Sequence, residues 1–275
     1  MIETRRMTIE GLNTSVLVGG SGTPGEAVVF VHGNPDTGED WMPLMTRVAP
    51  LATVVAPDLP GFGNCDPRPD GDYTIYSYAR FLDGVISGLG IERVHLVAHD
   101  FGGPFAAAWA ADHPQKVASV TFINTGLLLG YRWHRMARVW RTPLLGELSM
   151  RTLNSRMALK MLARENRGLS VEWVRTIVRH LTPEKTRRAV LRLYRSTRPG
   201  DMEQLAARLR QHDHDARVLF GDADSYIPVE QTHRQVEAFP RVDVTILPGL
   251  GHWCWLENTD AVAEPLLAFL KERVR

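Results

Sequence analysis

The sequence predicts an α/β fold: a mostly parallel sheet flanked by helices and interrupted late in the chain by an all-helical segment. Three observations lead there. Short, continuously apolar runs alternate with helical stretches over residues 1–125, the pattern of strands buried on both faces of a parallel sheet. That rhythm stops at about residue 126 and returns at about residue 213. Charge changes at nearly the same places: residues 131–217 hold 20 Lys+Arg against 8 Asp+Glu, and the remainder 12 against 23. The predicted organisation is a core over 1–125 and 213–275, with a helical cap over 126–212.

Each element follows from its residues. Thr8 to Val18 reads as a strand or hairpin, and the turn GGSGTPG after it as a hairpin connection. That turn lacks the Gly-Lys-Ser/Thr ending of a phosphate loop. AVVFV (Ala27–Val31), TVVAP (Thr53–Pro57), RVHLVAH (Arg93–His99) and VASVTFI (Val117–Ile123) are predicted buried strands. Helices are predicted over Ile75–Leu89 and Gly102–His113, and such alternation implies right-handed crossovers. In the cap, Ser170 precedes VEWVRTIVRHL and Thr182-Pro183 opens EKTRRAVLRLYRS. Asp201 precedes MEQLAARLR, with Gln204 at capping-box distance. ARVLF (Ala216–Phe220), a helix near Val229–Phe239, VDVTIL (Val242–Leu247) and a closing helix from Asp260 complete the core.

Composition narrows the function classes. Of the 275 residues, 44% are hydrophobic and 23% charged, an ordinary globular balance. No apolar run reaches a membrane span and MIETRRMTIEG has no apolar leader region, so no membrane is expected as partner. Cys65 and Cys254 read as small buried hydrophobes, and a reducing cytoplasm is the expected compartment. The basic cap carries no nucleic-acid motif, and its arginines are read as mostly a solvated helix face. QHDHD (Gln211–Asp215) invites a metal reading, but a polar hinge at the cap-to-strand junction is preferred.

Chemistry concentrates at the predicted carboxyl edge of the sheet, where ligands bind in open α/β sheets. In LVAHDFGG, Asp100 lies between a strand and a helix with Ala98 and Gly102 two residues to either side. Small neighbours there permit a strained turn that presents the central side chain; the other reading is a helix N-cap. HGNP (His32–Pro35) follows the AVVFV strand, FGDAD (Phe220–Asp224) a later one, and LPGLGHW places His252 after the next. A nucleophile, an acid and a histidine occur in that order, each after a strand.

These segments, with APDLPGFGNCD (Ala56–Asp66), resemble the α/β-hydrolase superfamily over nearly the whole chain. The resemblance is closest to its aspartate-nucleophile branch of epoxide hydrolases and haloalkane dehalogenases, and it implies an eight-stranded sheet. It implies Asp100 as nucleophile, Asp224 as orienting acid, with Asp222 competing, and His252 as base. The backbone N–H groups of Asn34 and Phe101 would form the oxyanion hole. His32, Pro35, His99 and Trp253 would surround the pocket. No metal and no cofactor is implied; the partner is a small apolar organic substrate, and monomer or homodimer is left open.

An aspartate nucleophile changes the reaction. A carboxylic acid of ordinary pKa, about 4, is ionised at neutral pH and attacks without a base. Attack on a saturated carbon gives a stable ester, whereas attack on an ester carbonyl gives a reactive anhydride. The leaving group separates the two branches. A halide asks for N–H donors, which the dehalogenase pattern takes from Asn and from a Trp after the nucleophile. Here Asn34 is present but Phe101 offers no side-chain N–H, leaving Trp133, Trp140 or Trp173 as substitutes or packing residues. An epoxide asks for a proton donor, and the resemblance assigns it to Tyr194, thirty residues before Asp224, with Tyr131 as a second. Epoxide hydrolysis is the expectation, with haloalkane dehalogenation as alternative. Lyase or dioxygenase chemistry and a non-catalytic receptor remain outside readings.

Overall fold

A computed structural model describes residues 1–152 and 155–275. Its eight strands form one sheet in the order β1-β2-β4-β3-β5-β6-β7-β8. The strands are β1 (Ile2–Ile9), β2 (Leu12–Gly20), β3 (Glu26–Val31), β4 (Thr53–Pro57), β5 (Arg93–His99), β6 (Val117–Ile123), β7 (Ala216–Gly221) and β8 (Asp243–Leu247). β2 pairs antiparallel with β1 and β4; the other pairings are parallel. The GGSGTPG stretch is therefore not a hairpin turn. The hairpin closes earlier at Glu10 and Gly11, both at positive φ, and GGSGTPG carries the chain from β2 past β4 to β3.

The central strands are apolar because both faces are covered. All six residues of β3 are buried, and fully burying one such side chain contributes roughly 1.5–3 kcal/mol. The first core helices are α1 (Met42–Val48), α2 (Ile75–Gly88) and α3 (Gly102–Asp112). Thr74 caps α2 by accepting from the Ser77 N–H. In α3 the residues from Gly102 to Ala111 are all buried, so its alanines allow close packing on the sheet.

Among the described residues six helices lie between β6 and β7: α4 (Arg135–Arg141), α5 (Leu145–Thr152), α6 (Ser155–Glu165), α7 (Val171–His180), α8 (Glu184–Ser196) and α9 (Pro199–Leu209). Ser170 caps α7 as predicted. Asp201 does not cap a helix start. Pro199 opens α9 two residues earlier, and Asp201 accepts from the Arg198 N–H as the third residue of that helix. α8 seats the insertion on the core. Lys185 donates to the carbonyls of Gly63 and Cys65, Thr186 to Gly61 and Ser196 to Tyr73. Most of the insertion's arginines are exposed, as expected of a solvated face, and three partly buried ones reach inward. Arg141, Arg187 and Arg195 donate to backbone carbonyls of neighbouring helical segments.

After β7, the stretch Val229–Glu237 is a 3-10 helix. The short helix α10 (Cys254–Glu257) and α11 (Thr259–Lys271), capped by Asn258, close the chain. In QHDHD the two histidine rings stack at 5.5 Å, and Asp215 pairs with Arg241 and Arg273. Among the described residues no helix is long and apolar enough to cross a membrane.

Candidate active site

The β5-to-α3 turn does to Asp100 what its neighbours predict. Asp100 adopts φ +49°, a left-handed conformation costing about 1–2 kcal/mol for a non-glycine residue. It is not an N-cap: its Oδ1 accepts the Asn34 backbone N–H at 2.9 Å. Thr125 Oγ1 and the Gly103 N–H both donate to the Asp100 carbonyl and hold the turn. The flanking glycines are steric requirements. A Cβ on Gly102 would stand 2.1 Å from the Val31 carbonyl oxygen, and one on Gly33 would stand 2.5 Å from Asp100 Oδ1 and 2.7 Å from the Phe101 nitrogen. Asn34, Phe101 and the Asp100 carboxylate thus converge on one corner.

His252 faces that corner. Its Nε2 lies 3.6 Å from Asp100 Oδ2 and its Nδ1 lies 2.7 Å from Asp224 Oδ2. Of the two competing acids, Asp224 is the one at the histidine; Asp222 accepts instead from the Gly249 N–H. Asp224 also accepts from the backbone N–H groups of Tyr226 and Ile227 and from Asn124 Nδ2. Burial alone would raise its carboxyl; His252 and these donors hold it below the usual carboxylate range. Burial would likewise lower the His252 imidazole, but Asp224, together with Asp100, raises it to about 10. His252 therefore carries a proton while both carboxylates are charged.

These groups open on a cavity of about 130 Å³ between the sheet edge and the insertion, bounded mainly by apolar and aromatic side chains. Pro35, Phe101, Tyr131, Tyr194 and Trp253 lie on its wall. His32 and His99 do not, and this corrects the expectation for both. They lie buried behind the site. His32 hydrogen-bonds the Gly33 carbonyl and accepts from the Leu59 N–H. His99 bridges Asp36 and the His252 carbonyl. Each is held there by its partners, backbone groups for His32 and the Asp36 carboxylate with the His252 carbonyl for His99. Asp36 also accepts from Trp253 Nε1; burial opposes its charge, but His99 and Trp253 bring its carboxyl down to about 2.

The two candidate tyrosines differ. The Tyr131 hydroxyl donates to the Tyr226 carbonyl, so its proton is engaged. The Tyr194 oxygen lies 3.4 Å from Asn34 Nδ2 and 3.5 Å from His134 Nε2. His134 Nδ1 accepts from the Ala137 N–H at the start of α4, which assigns the ring proton to Nε2. Burial lowers the His134 imidazole to about 4, so it is neutral. Tyr194 therefore accepts from two donors and keeps its own proton. Trp133 and Trp140 line the cavity, and Trp133 stacks near Phe101 with ring centroids 6.2 Å apart. Trp173 packs elsewhere, against the core layer that contains Trp41 and Trp255.

Sequence reasoning missed His134, Tyr226, Glu165 and Asn124. Only Asn124 had a local signal, standing at a strand end like Asp100. The other three depend on how the insertion docks.

Comparisons agree with the fold. The alpha/beta hydrolase fold family model matches residues 26–259. A haloalkane dehalogenase of Mesorhizobium japonicum is 28% identical over 98% of this chain and 92% of its own length. A 2-hydroxy-6-oxo-6-phenylhexa-2,4-dienoate hydrolase of Burkholderia cepacia is 25% identical over 90% of this chain and 88% of its own. The solved structure of an epoxide hydrolase without ligand superposes with a TM-score of 0.84 at 21% identity, covering 99% of each chain.

Proposed function

The chain belongs to the alpha/beta hydrolase fold family, and within it we propose an epoxide hydrolase that works through an ester on Asp100. The observation that carries this reading is the placement of Tyr194. Its hydroxyl stands on the cavity wall with two donors, Asn34 and His134, on its oxygen. Its O–H is left to donate to a third group. Burial and the nearby Asp100 charge raise its phenol well above 10, outweighing the Asn34 hydrogen bond. It thus stays protonated until an alkoxide forms beside it.

In the first step an Asp100 oxygen attacks an epoxide carbon. The ring C–O bond breaks, and the alkoxide takes the Tyr194 proton. Ester formation removes the Asp100 charge, one of the influences that keep His252 protonated. His252 then gives its proton to the Tyr194 phenolate and becomes a neutral base. In the second step His252 takes a proton from water as the water oxygen attacks the ester carbonyl. The backbone N–H groups of Asn34 and Phe101 hold the oxyanion, an interaction worth about 3–4 kcal/mol per donor in a comparable hole. Collapse expels the alcohol oxygen, which takes the proton of the new carboxyl group. A diol leaves, and the Asp100–His252 ion pair is restored.

Halide displacement is the second reading. It is favoured by Asn34, which offers an amide N–H at the cavity, and by the near full-length likeness to a haloalkane dehalogenase. Parallel assays of styrene oxide and 1-bromobutane with Tyr194→Phe separate the two. The expected result is a fall of about 10²–10⁴ in epoxide opening with any bromide turnover unaffected. Unchanged epoxide turnover in the variant removes Tyr194 from the mechanism, and bromide turnover alone favours the second reading.

A further inference from the structure

Tyr226 lies two residues after Asp224 and touches both the His252–Asp224 pair and the helical insertion. Its backbone N–H donates to Asp224 Oδ1 at 2.7 Å. Its ring stands edge-to-face on the His252 imidazole, centroids 4.9 Å apart at 69°. Its hydroxyl donates to Glu165 Oε2 at 2.9 Å and accepts from Asn166 Nδ2 at 3.0 Å, both at the end of α6. The next residue back repeats the tie: Ser225 Oγ donates to the Glu165 carbonyl at 2.7 Å. The Tyr226 carbonyl accepts from Tyr131 on the loop that enters the insertion. Glu165 and Tyr226 both line the cavity.

From this juxtaposition we infer that Tyr226 is a positioning residue. It couples α6 to His252 and sets the tilt of the imidazole for water attack on the Asp100 ester. The inference rests on the aspartyl-ester reading above. The physical reason is a division of labour around His252. Asp224 fixes the ring at Nδ1 but leaves rotation about that hydrogen bond open. The Tyr226 ring limits this freedom from one side, alongside the His99 and Trp253 rings at 4.5 and 4.7 Å, and its own position is set by the hydroxyl pair at the end of α6. Ester formation needs only Asp100 and the proton donor, so the coupling bears on the second step alone. Glu165 is the anchor: it accepts the Tyr226 proton, and without that donor a carboxylate on an apolar wall would lose its hydrogen bond.

Rapid-mixing kinetics with styrene oxide test this, with ester formation and ester hydrolysis read separately. Tyr226→Phe keeps the ring and removes the latch. Expected are ester formation within about twofold of the parent, hydrolysis slowed about tenfold, and accumulation of ester on Asp100. Glu165→Ala should behave the same way, and Glu165→Gln, which retains an acceptor oxygen, should recover most of the loss. Hydrolysis unchanged in both Tyr226→Phe and Glu165→Ala overturns the inference, as does an equal loss in both steps. A substrate-free arm separates this from failure of the ester reading. In histidine-labelled protein, Tyr226→Phe should move the His252 ring nitrogen resonances; unmoved resonances overturn the coupling even if the parent forms no ester.

Discussion

His252 Nε2 stands 3.6 Å from Asp100 Oδ2 while its Nδ1 is held 2.7 Å from Asp224. The first contact is longer than a good hydrogen bond and is chiefly an attraction between charges. That makes it removable: an Asp100 converted to ester no longer favours the imidazolium. On the proposed ester mechanism, the group that activates water would thus be switched on by the step that creates its target.

The switch predicts a titration. Replacing Asp100 by Asn removes a negative neighbour, so the His252 pKa should fall from about 10. Nitrogen NMR of labelled histidine reads this directly; an unchanged midpoint in Asp100→Asn contradicts the switch. Stability follows with a fixed sign. A folded-state pKa above the unfolded value stabilises fully below about 6.5, and that stabilisation is lost as pH rises through about 10. The thermal midpoint should decline over that interval, less steeply in Asp100→Asn.

Phe101 is the second lever. It follows Asp100, lies on the cavity wall and has no side-chain N–H. Phe101→Trp adds one donor beside the leaving-group corner. Bromide displacement should rise about tenfold, the worth of one hydrogen bond to a charged group, and it should not rescue Tyr194→Phe on epoxide. No gain with 1-bromobutane would show that the added N–H does not reach the departing halide.

The turn itself predicts a stability cost. A Cβ at Gly102 would meet the Val31 carbonyl at 2.1 Å, with backbone rather than a flexible side chain on the other side. Gly102→Ala should lose about 3 kcal/mol, measured by urea unfolding. A loss below about 0.5 kcal/mol would mean that β3 and α3 can separate and that the steric reading of the turn is wrong.

What was legible in the sequence follows the range of each interaction. Strands β3 to β7 announce themselves because each is buried on both faces and reads as an apolar run. Asp100 and His252 were legible because each sits on a short loop leaving a strand, so their relation is set by sheet order alone. The choice of Asp224 over Asp222 rested on the Gly221-to-Asp224 spacing of the resembled family; in the structure both leave β7, and Asp224 is the one that reaches His252. Tyr226 and His134 were not legible. Their roles depend on the docking of α4 and α6, which no periodicity encodes. GGSGTPG misled for a related reason: a glycine-rich turn specifies a reversal, not which strand receives the chain.

The central claim is a covalent ester on Asp100, and one measurement meets it directly. With enzyme in excess over styrene oxide in heavy-oxygen water, a single turnover is quenched and the peptide containing Asp100 is weighed. Water attack on the ester carbonyl predicts one heavy oxygen in the Asp100 carboxylate and none in the diol. Label in the diol with an unlabelled Asp100 would contradict the account, because water would then have attacked the substrate itself.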